Sequence, residues 1–175
     1  DQKPLVARVK CNGADNAKAI YEYSGAKSCL LAKNSFSGMK LCDFGCFGLG
    51  TCAVSCPFDA IEMINGLPKV NAKKCTACGV CVKACPQFLM ELIPQDQKVL
   101  VNCNNTDKAK NAMSACKVAC IKCKKCEKVC NFEAIHVGGV AVIDYAKCTN
   151  CRACAEVCPT HAILVYEKNN IVKVV

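Results

Sequence analysis

Cys120-Ile-Lys-Cys123-Lys-Lys-Cys126-Glu-Lys-Val-Cys130 and, after a short spacer, Cys148-Thr-Asn-Cys151-Arg-Ala-Cys154-Ala-Glu-Val-Cys158-Pro159 decide how this chain is built. Each run sets three cysteines at three-residue intervals and a fourth four residues later, and the second run closes on proline. That is the ligand spacing of a bacterial-type [4Fe-4S] cluster. Two-residue spacers let a tight loop point three sulfurs at one centre, while the fourth thiolate reaches across to the neighbouring cluster. The spacing predicts one cluster on Cys120, Cys123, Cys126 and Cys158, and its neighbour on Cys148, Cys151, Cys154 and Cys130. Structural zinc is the competing reading of a Cys-x-x-Cys pair, but zinc sites separate two short pairs by a longer loop. The repeated run of four closely spaced cysteines fits iron–sulfur better.

Composition agrees. The chain has 175 residues with 20 cysteines, no tryptophan and only 6% aromatics, so a large conventional core is not expected. Clusters then do part of the folding work, and their thiolates call for a reducing compartment, on the cytosolic side. A formal charge of +9 invites a nucleic-acid partner. Each oxidised cubane with four thiolates carries about −2, however, so five would offset about −10 and leave the holoprotein near neutral. No nucleic-acid partner is expected, and the lysines read as solvated faces. The sequence has neither a Walker loop nor a Gly-x-Gly-x-x-Gly element. His136 and His161 follow cluster motifs in strand-like runs, where a packed or second-shell role is expected rather than catalysis. No stretch approaches the roughly 18 apolar residues of a membrane span, and the start has no signal-peptide pattern. The opening at Asp1 reads as a processed protein or an excised fragment.

Taken in order, Leu5–Lys10 reads as a strand ending at Cys11, and Ala14–Lys33 as a helix broken at Gly25 and carrying Cys29. Asn34–Gly38 reads as a loop. Cys42-Asp-Phe-Gly-Cys46-Phe-Gly-Leu-Gly-Thr-Cys52-Ala-Val-Ser-Cys56-Pro57 is a distorted opening motif, and Cys75-Thr-Ala-Cys78-Gly-Val-Cys81-Val-Lys-Ala-Cys85-Pro86 a complete one. Between them Ala60–Ile64 and Leu67–Asn71 read as a hairpin through Asn65-Gly66; Leu89–Ile93 and Val99–Asn102 are further strands. The second half repeats this plan: Ala134–Asp144 is a hairpin through Gly138-Gly139, and Ala162–Tyr166 and Ile171–Val175 are strands. Cys42, Cys46 and Cys56 recur as Cys116, Cys120 and Cys130, a constant offset of 74 residues. Between Cys11 and Cys42 the first half is eighteen residues longer.

The expected fold is α+β: tandem duplicated two-[4Fe-4S] ferredoxin-like modules of βαββαβ type with an extra N-terminal segment. The expected boundaries are 1–41 for that segment (Cys11, Cys29), packing on the first module, then 42–97 and 98–175 for the two modules. In the first half a complete set is Cys75, Cys78, Cys81 and Cys56. Its partner has Cys46, Cys52 and Cys85 but Leu49 where the second half has Cys123. Cys42 is the nearest substitute in sequence, with Cys29 second. If Cys42 fills the gap, Cys11, Cys29, Cys103 and Cys116 remain; if Cys29 does, Cys11, Cys42, Cys103 and Cys116 remain, a set symmetric under the repeat. Either remainder could bind a fifth cluster between the halves, or zinc, against buried free thiols as the plain reading.

Val9-Lys-Cys11-Asn-Gly, Lys40-Leu-Cys42-Asp-Phe-Gly-Cys46-Phe-Gly-Leu-Gly-Thr-Cys52 and Ile143-Asp-Tyr145-Ala-Lys-Cys148 resemble the B subunit of the Rnf complex in its long, cysteine-rich form. That complex is a membrane ion-translocating ferredoxin:NAD⁺ oxidoreductase. The resemblance covers almost the whole chain. It implies that electrons pass from reduced ferredoxin through this chain toward the other membrane subunits, on the cytoplasmic face, coupled to sodium or proton export. Family members carry a transmembrane anchor and another cluster domain ahead of this region, so the chain reads as the soluble ferredoxin-like portion. No catalytic site of its own is expected. The alternatives are an electron-transfer subunit of a formate or sulfoxide oxidoreductase, and a zinc-stabilised binding module. Lys124 and Lys125, beside a cluster loop, are candidates to steer an acidic ferredoxin.

Overall fold

The computed structural model describes residues 3–36, 38–167 and 170–172. In chain order the strands are β1 (Leu5–Val9), β2 (Ile61–Ile64), β3 (Leu67–Val70), β4 (Met90–Pro94), β5 (Val99–Val101), β6 (Ile135–Val137), β7 (Ala141–Ile143), β8 (Ile163–Glu167) and β9 (Asn170–Val172). The helices are short: α1 (Cys29–Phe36), α2 (Thr51–Val54), α3 (Val80–Ala84), α4 (Ala109–Ala115), α5 (Lys125–Val129) and α6 (Ala153–Glu156).

Every strand pairing is antiparallel. β1 runs against β4, with Leu5 opposite Pro94 and Val9 opposite Met90. β2 and β3 form a hairpin, as do β6 and β7. β8 lies between β5 and β9 in a three-stranded sheet. The β2–β3 turn has Asn65 at φ 49° and Gly66 at φ 72°, the two left-handed positions that a tight hairpin of matching twist requires. Each half thus has a terminal strand pair, an inner hairpin and two short helices that begin inside cysteine motifs.

Two apolar clusters lie beneath these sheets. Val6, Ile61, Val70, Met90 and Ile93 gather with Cys52 and Cys81 in the first. Val99, Ile135, Ile143, Ile163 and Val165 gather with Cys120, Cys126 and Cys154 in the second. The halves are joined by half-buried polar contacts. Asn102 donates from Nδ2 to the Val9 carbonyl at 3.0 Å and to the Tyr166 hydroxyl at 2.9 Å. The Tyr145 hydroxyl donates to Glu91 Oε1 at 3.1 Å.

The segment between Cys11 and Cys42 departs from its expected helix. Ala14–Asn16 is a single 3₁₀ turn, after which the backbone is extended. Ala17 bridges to Cys116 and Ala19 to Lys40, with Lys18 N–H donating to Ala115 O at 2.8 Å and Lys117 N–H to Asn16 O at 3.0 Å. These pairings with the second half outweigh the intrinsic helix preference of the alanines. The helix starts only at Cys29 and runs through Phe36, into the expected loop. The strand expected over Ile171–Val175 is seen at its start, in β9; residues 173–175 lie outside those described.

Candidate iron–sulfur centres

The cysteine motifs share one backbone device. In each, the two residues flanking the central position lie in the left-handed region: Gly48 and Gly50, Ala77 and Gly79, Lys122 and Lys124, Asn150 and Arg152. Three residues after each fourth cysteine another such residue follows, namely Asp59, Phe88, Glu133 and His161. Repeated left-handed residues curl the chain tightly enough to turn successive thiols inward while a helix of one turn or so departs behind them. His161 is therefore an exposed turn residue and His136 is 63% exposed with Nδ1 3.6 Å from Glu127 Oε1. Of the packed or second-shell roles expected for them, the packed one is not seen: both side chains are exposed.

Three cysteine quartets each wall a cavity. Cys130, Cys148, Cys151 and Cys154 surround one with Ile135 and Ile143. Cys56, Cys75, Cys78 and Cys81 surround the second with Ala60 and Ile61. Cys11, Cys42, Cys103 and Cys116 surround the third, lined from both halves, with Asn105 and a fifth cysteine, Cys46, also in its wall. The three spaces are alike in size. Among the described residues no three Cys, His, Asp or Glu side chains converge tightly enough to hold a single metal ion. The thiols ring a space rather than a point.

The other two sets are read from the thiols' neighbours. Burial pushes Cys126 up to about 11, and Cys120, Cys158 and Cys123 beside it add to the push. Burial pushes Cys52 up to about 12, reinforced by Cys85 and Cys29. Cys46 is likewise raised to about 12 by burial, with Cys11, Cys52 and Cys29 adding to the effect. Cys29 thus lies near Cys46 and Cys52, while Cys42 shares one cavity with Cys11, Cys103 and Cys116, and Cys46 borders both groups. α1 begins at Cys29 with its N–H donated to Thr51 Oγ1 at 2.8 Å, at the start of α2, which fixes Cys29 over the loop that lacks a cysteine. The sequence left Cys42 and Cys29 as the candidates for that gap; the arm places the Cys29 backbone beside Thr51, at the start of the helix that follows it.

The sulfurs are well supplied with donors. Ala60, Leu89 and Ala134 N–H groups donate to Cys56, Cys85 and Cys130, each at 3.4 Å. Gln97 Nε2 donates to Cys148 Sγ at 3.1 Å and Asn105 Nδ2 to Cys42 Sγ at 3.4 Å. Such donors favour the thiolate over the thiol and suit a sulfur that carries charge on a metal cluster. Two further bonds link the quartets. Cys46 N–H donates to Cys11 Sγ at 3.4 Å, and Cys120 N–H to Cys103 Sγ at 3.3 Å. These two bonds correspond under the internal repeat. Gln97 and Asn105 had no signature in the sequence, since neither belongs to a cysteine motif.

Residues 39–86 match a 4Fe-4S dicluster domain, and residues 118–133 and 141–164 each match a 4Fe-4S binding domain. The mixed strands and short helices with these matches make this a ferredoxin-like α+β iron–sulfur protein. The chain is 47% identical over 161 residues to the B subunit of the Na⁺-translocating ferredoxin:NAD⁺ oxidoreductase complex of Acetobacterium woodii, covering 90% of this chain and 48% of that protein. It belongs to the family of Rnf B subunits. Within the family it is also 42% identical over 158 residues to the B subunit of the ion-translocating oxidoreductase complex of Methanosarcina acetivorans, covering 89% of this chain and 60% of that one. With the B subunit of the proton-translocating ferredoxin:NAD⁺ oxidoreductase complex of Clostridium ljungdahlii it shares 43% identity over 150 residues, or 83% and 52% of the two chains. The chain therefore spans roughly half the length of these family members. No helix among the described residues is long and apolar enough to cross a membrane.

Proposed function

We propose that this chain relays single electrons, from reduced ferredoxin toward the membrane subunits of an ion-pumping NAD⁺ oxidoreductase complex at the cytoplasmic face of the membrane. The observation that carries the proposal is the set of three similar cavities, each walled by four cysteines. Each bound [4Fe-4S] cluster would supply a site that takes up and releases one electron. Five clusters are proposed, held by Cys56, Cys75, Cys78 and Cys81; by Cys29, Cys46, Cys52 and Cys85; by Cys11, Cys42, Cys103 and Cys116; by Cys120, Cys123, Cys126 and Cys158; and by Cys130, Cys148, Cys151 and Cys154. This replaces the first-choice placing of Cys42 in the irregular set with the alternative, Cys29.

The chain's own residues would hold these centres close together and shield them. The amides of Cys46 and Cys120 connect the central quartet to a quartet in each half. In the second half, Cys126 is among the groups that raise the Cys154 thiol, so those two quartets also adjoin. Buried aliphatic side chains back the inner sulfurs of each set, and the amide donors set how readily each centre accepts charge. The repeated element order and the 74-residue offset support a tandem duplication with modules at 42–97 and 98–175. In that scheme β1, from the segment 1–41, completes the first module by pairing with β4.

Iron, sulfide and zinc counted per chain on anaerobically prepared protein test this reading. About twenty iron and twenty sulfide are expected. Zinc without iron would overturn it, and about sixteen of each would leave the central quartet as thiols or a zinc site.

A further inference from the structure

The two halves present opposite surfaces at the same place. Residues 117–128 carry Lys117, Lys122, Lys124, Lys125 and Lys128 against a single acid, Glu127. The 74-residue offset aligns them with residues 43–54, which contain no lysine or arginine at all. The contrast is sharpest at the left-handed positions: where the first half has Gly48 and Gly50 at φ 78° and 79°, the second has Lys122 and Lys124, both at φ 58°. A lysine there bears a backbone cost that glycine avoids, so the fold is not served by the charge.

Lys122 is held by donating to the Asp107 carbonyl, and Lys124 lies 4.0 Å from Glu127 Oε2. Among the described residues the ion pairs leave Lys117, Lys125 and Lys128 out, and all three are exposed. Between Lys122 and Lys124 stands Cys123, itself exposed, whereas its counterpart Leu49 is half-buried. A solvent-exposed thiol of a cluster motif, flanked along the chain by Lys122, Lys124 and Lys125, has the arrangement needed to gather an anionic redox partner and to bring it close to the site of transfer.

We propose that the loop Lys122–Lys125, with Lys117 and Lys128, is the docking surface for an acidic iron–sulfur electron carrier. It rests on the relay reading above. Docking through this face would pass one electron from the reduced carrier to the centre of Cys120, Cys123, Cys126 and Cys158, oxidising the carrier by one electron and reducing that centre by one. Arginine at the corresponding left-handed position of the next loop, Arg152, is held at 2.6 Å by Glu167 and adds less to the field.

The test uses the full chain loaded with clusters, immobilised, with an oxidised, acidic bacterial two-[4Fe-4S] ferredoxin as probe. Affinity is measured at about 20 mM and about 300 mM salt, between which the Debye length falls from roughly 20 Å to below 10 Å. Lys124→Glu with Lys125→Glu should weaken binding on the order of tenfold at low salt, with the loss shrinking at high salt. Lys124→Gly removes one charge and relieves its backbone, so it should weaken binding by a smaller factor with clusters fully retained. Lys73→Glu with Lys74→Glu, beside the first-half motif at Cys75, should leave affinity unchanged. Unchanged affinity in the Lys124 and Lys125 variants, a salt-independent loss, or an equal loss in the Lys73 and Lys74 variant would overturn the docking surface. Bleaching near 400 nm by reduced ferredoxin separates the two levels. If the unaltered protein binds the probe and bleaches while the variants match it, only the docking surface fails; if it neither binds nor bleaches, the relay from ferredoxin fails too.

Discussion

Paired substitutions distinguish the two ways of sharing Cys29 and Cys42. Either assignment makes each of them a ligand of some centre, so either single variant would lose one cluster and decide nothing. The pairings decide it. The structure sets Cys29 beside Cys52 and Cys46, and the Cys116 thiol is raised by Cys11 and Cys42 after burial. Cys29→Ala with Cys52→Ala should then remove two ligands of one cluster and cost about four of some twenty iron. Cys42→Ala with Cys52→Ala should strike two clusters and cost about eight. Cys42→Ala with Cys116→Ala should cost about four again. Iron and sulfide analysis, with the absorbance near 400 nm falling by about one fifth or two fifths, reads the difference directly. The reverse pattern, eight lost with Cys29 and Cys52 but four with Cys42 and Cys52, would refute the geometry. Full retention of iron by the Cys42 and Cys116 variant would refute the central cluster itself. Each outcome is separated by four iron atoms, well above the scatter of a careful assay.

Two further perturbations probe the scaffold and the tuning of the sites. Ile93 is fully buried at 0% exposure, opposite Val6 in the β1–β4 pair, so Ile93→Ala should cost about 2–5 kcal/mol through lost burial and a residual cavity. Denaturant unfolding of the loaded protein measures this, and a loss under about 1 kcal/mol would show that β1 and β4 do not close the first core. Gln97 donates from Nε2 to both Cys148 Sγ and Val99 O at 3.1 Å; Gln97→Leu removes a donor that offsets charge on the sulfur. The centre of Cys130, Cys148, Cys151 and Cys154 should become harder to reduce while the others keep their potentials. A redox titration followed by electron paramagnetic resonance checks it, and a raised or unmoved potential would count against the role given to Gln97.

The sequence displays its cysteine sets because ligand spacing is a local property: a loop that turns three sulfurs inward needs two-residue spacers wherever it occurs. The gatherings of Cys56 with Cys75, Cys78 and Cys81, and of Cys130 with Cys148, Cys151 and Cys154, could be read from spacing alone. Cys29 could not be placed, because its position depends on the route of an arm whose partners, Lys40 and Cys116, are distant or in the other half. The same long-range pairing hid the arm's conformation, since Ala14, Ala17 and Ala19 taken locally suit a helix. The exposure of both histidines has a related cause. Strand-like alternation shows which residues could face inward, but the left-handed turn at His161 and the outward edge at His136 are set by the motifs before them.

Leu49, the arm and the lysines are three signs of one divergence between the halves. In the first half the arm lies over the opening motif: Gly38 sits against the buried Phe47 ring, and Thr51 receives the Cys29 amide. A covered loop can take its fourth thiol from the cover, and Leu49 can then occupy the central position. It must also keep a thin backbone, because a Cβ on Gly48 would lie 2.8 Å from the Gly66 carbonyl. In the second half no such arm intervenes among the described residues. Cys123 occupies the central position itself, Lys125 stands where Thr51 holds the arm, and the left-handed positions are free to carry charge. The loop without the central cysteine is the one the arm covers. The loop that keeps its cysteine remains open, and only an open loop gains anything from cations aimed at solvent.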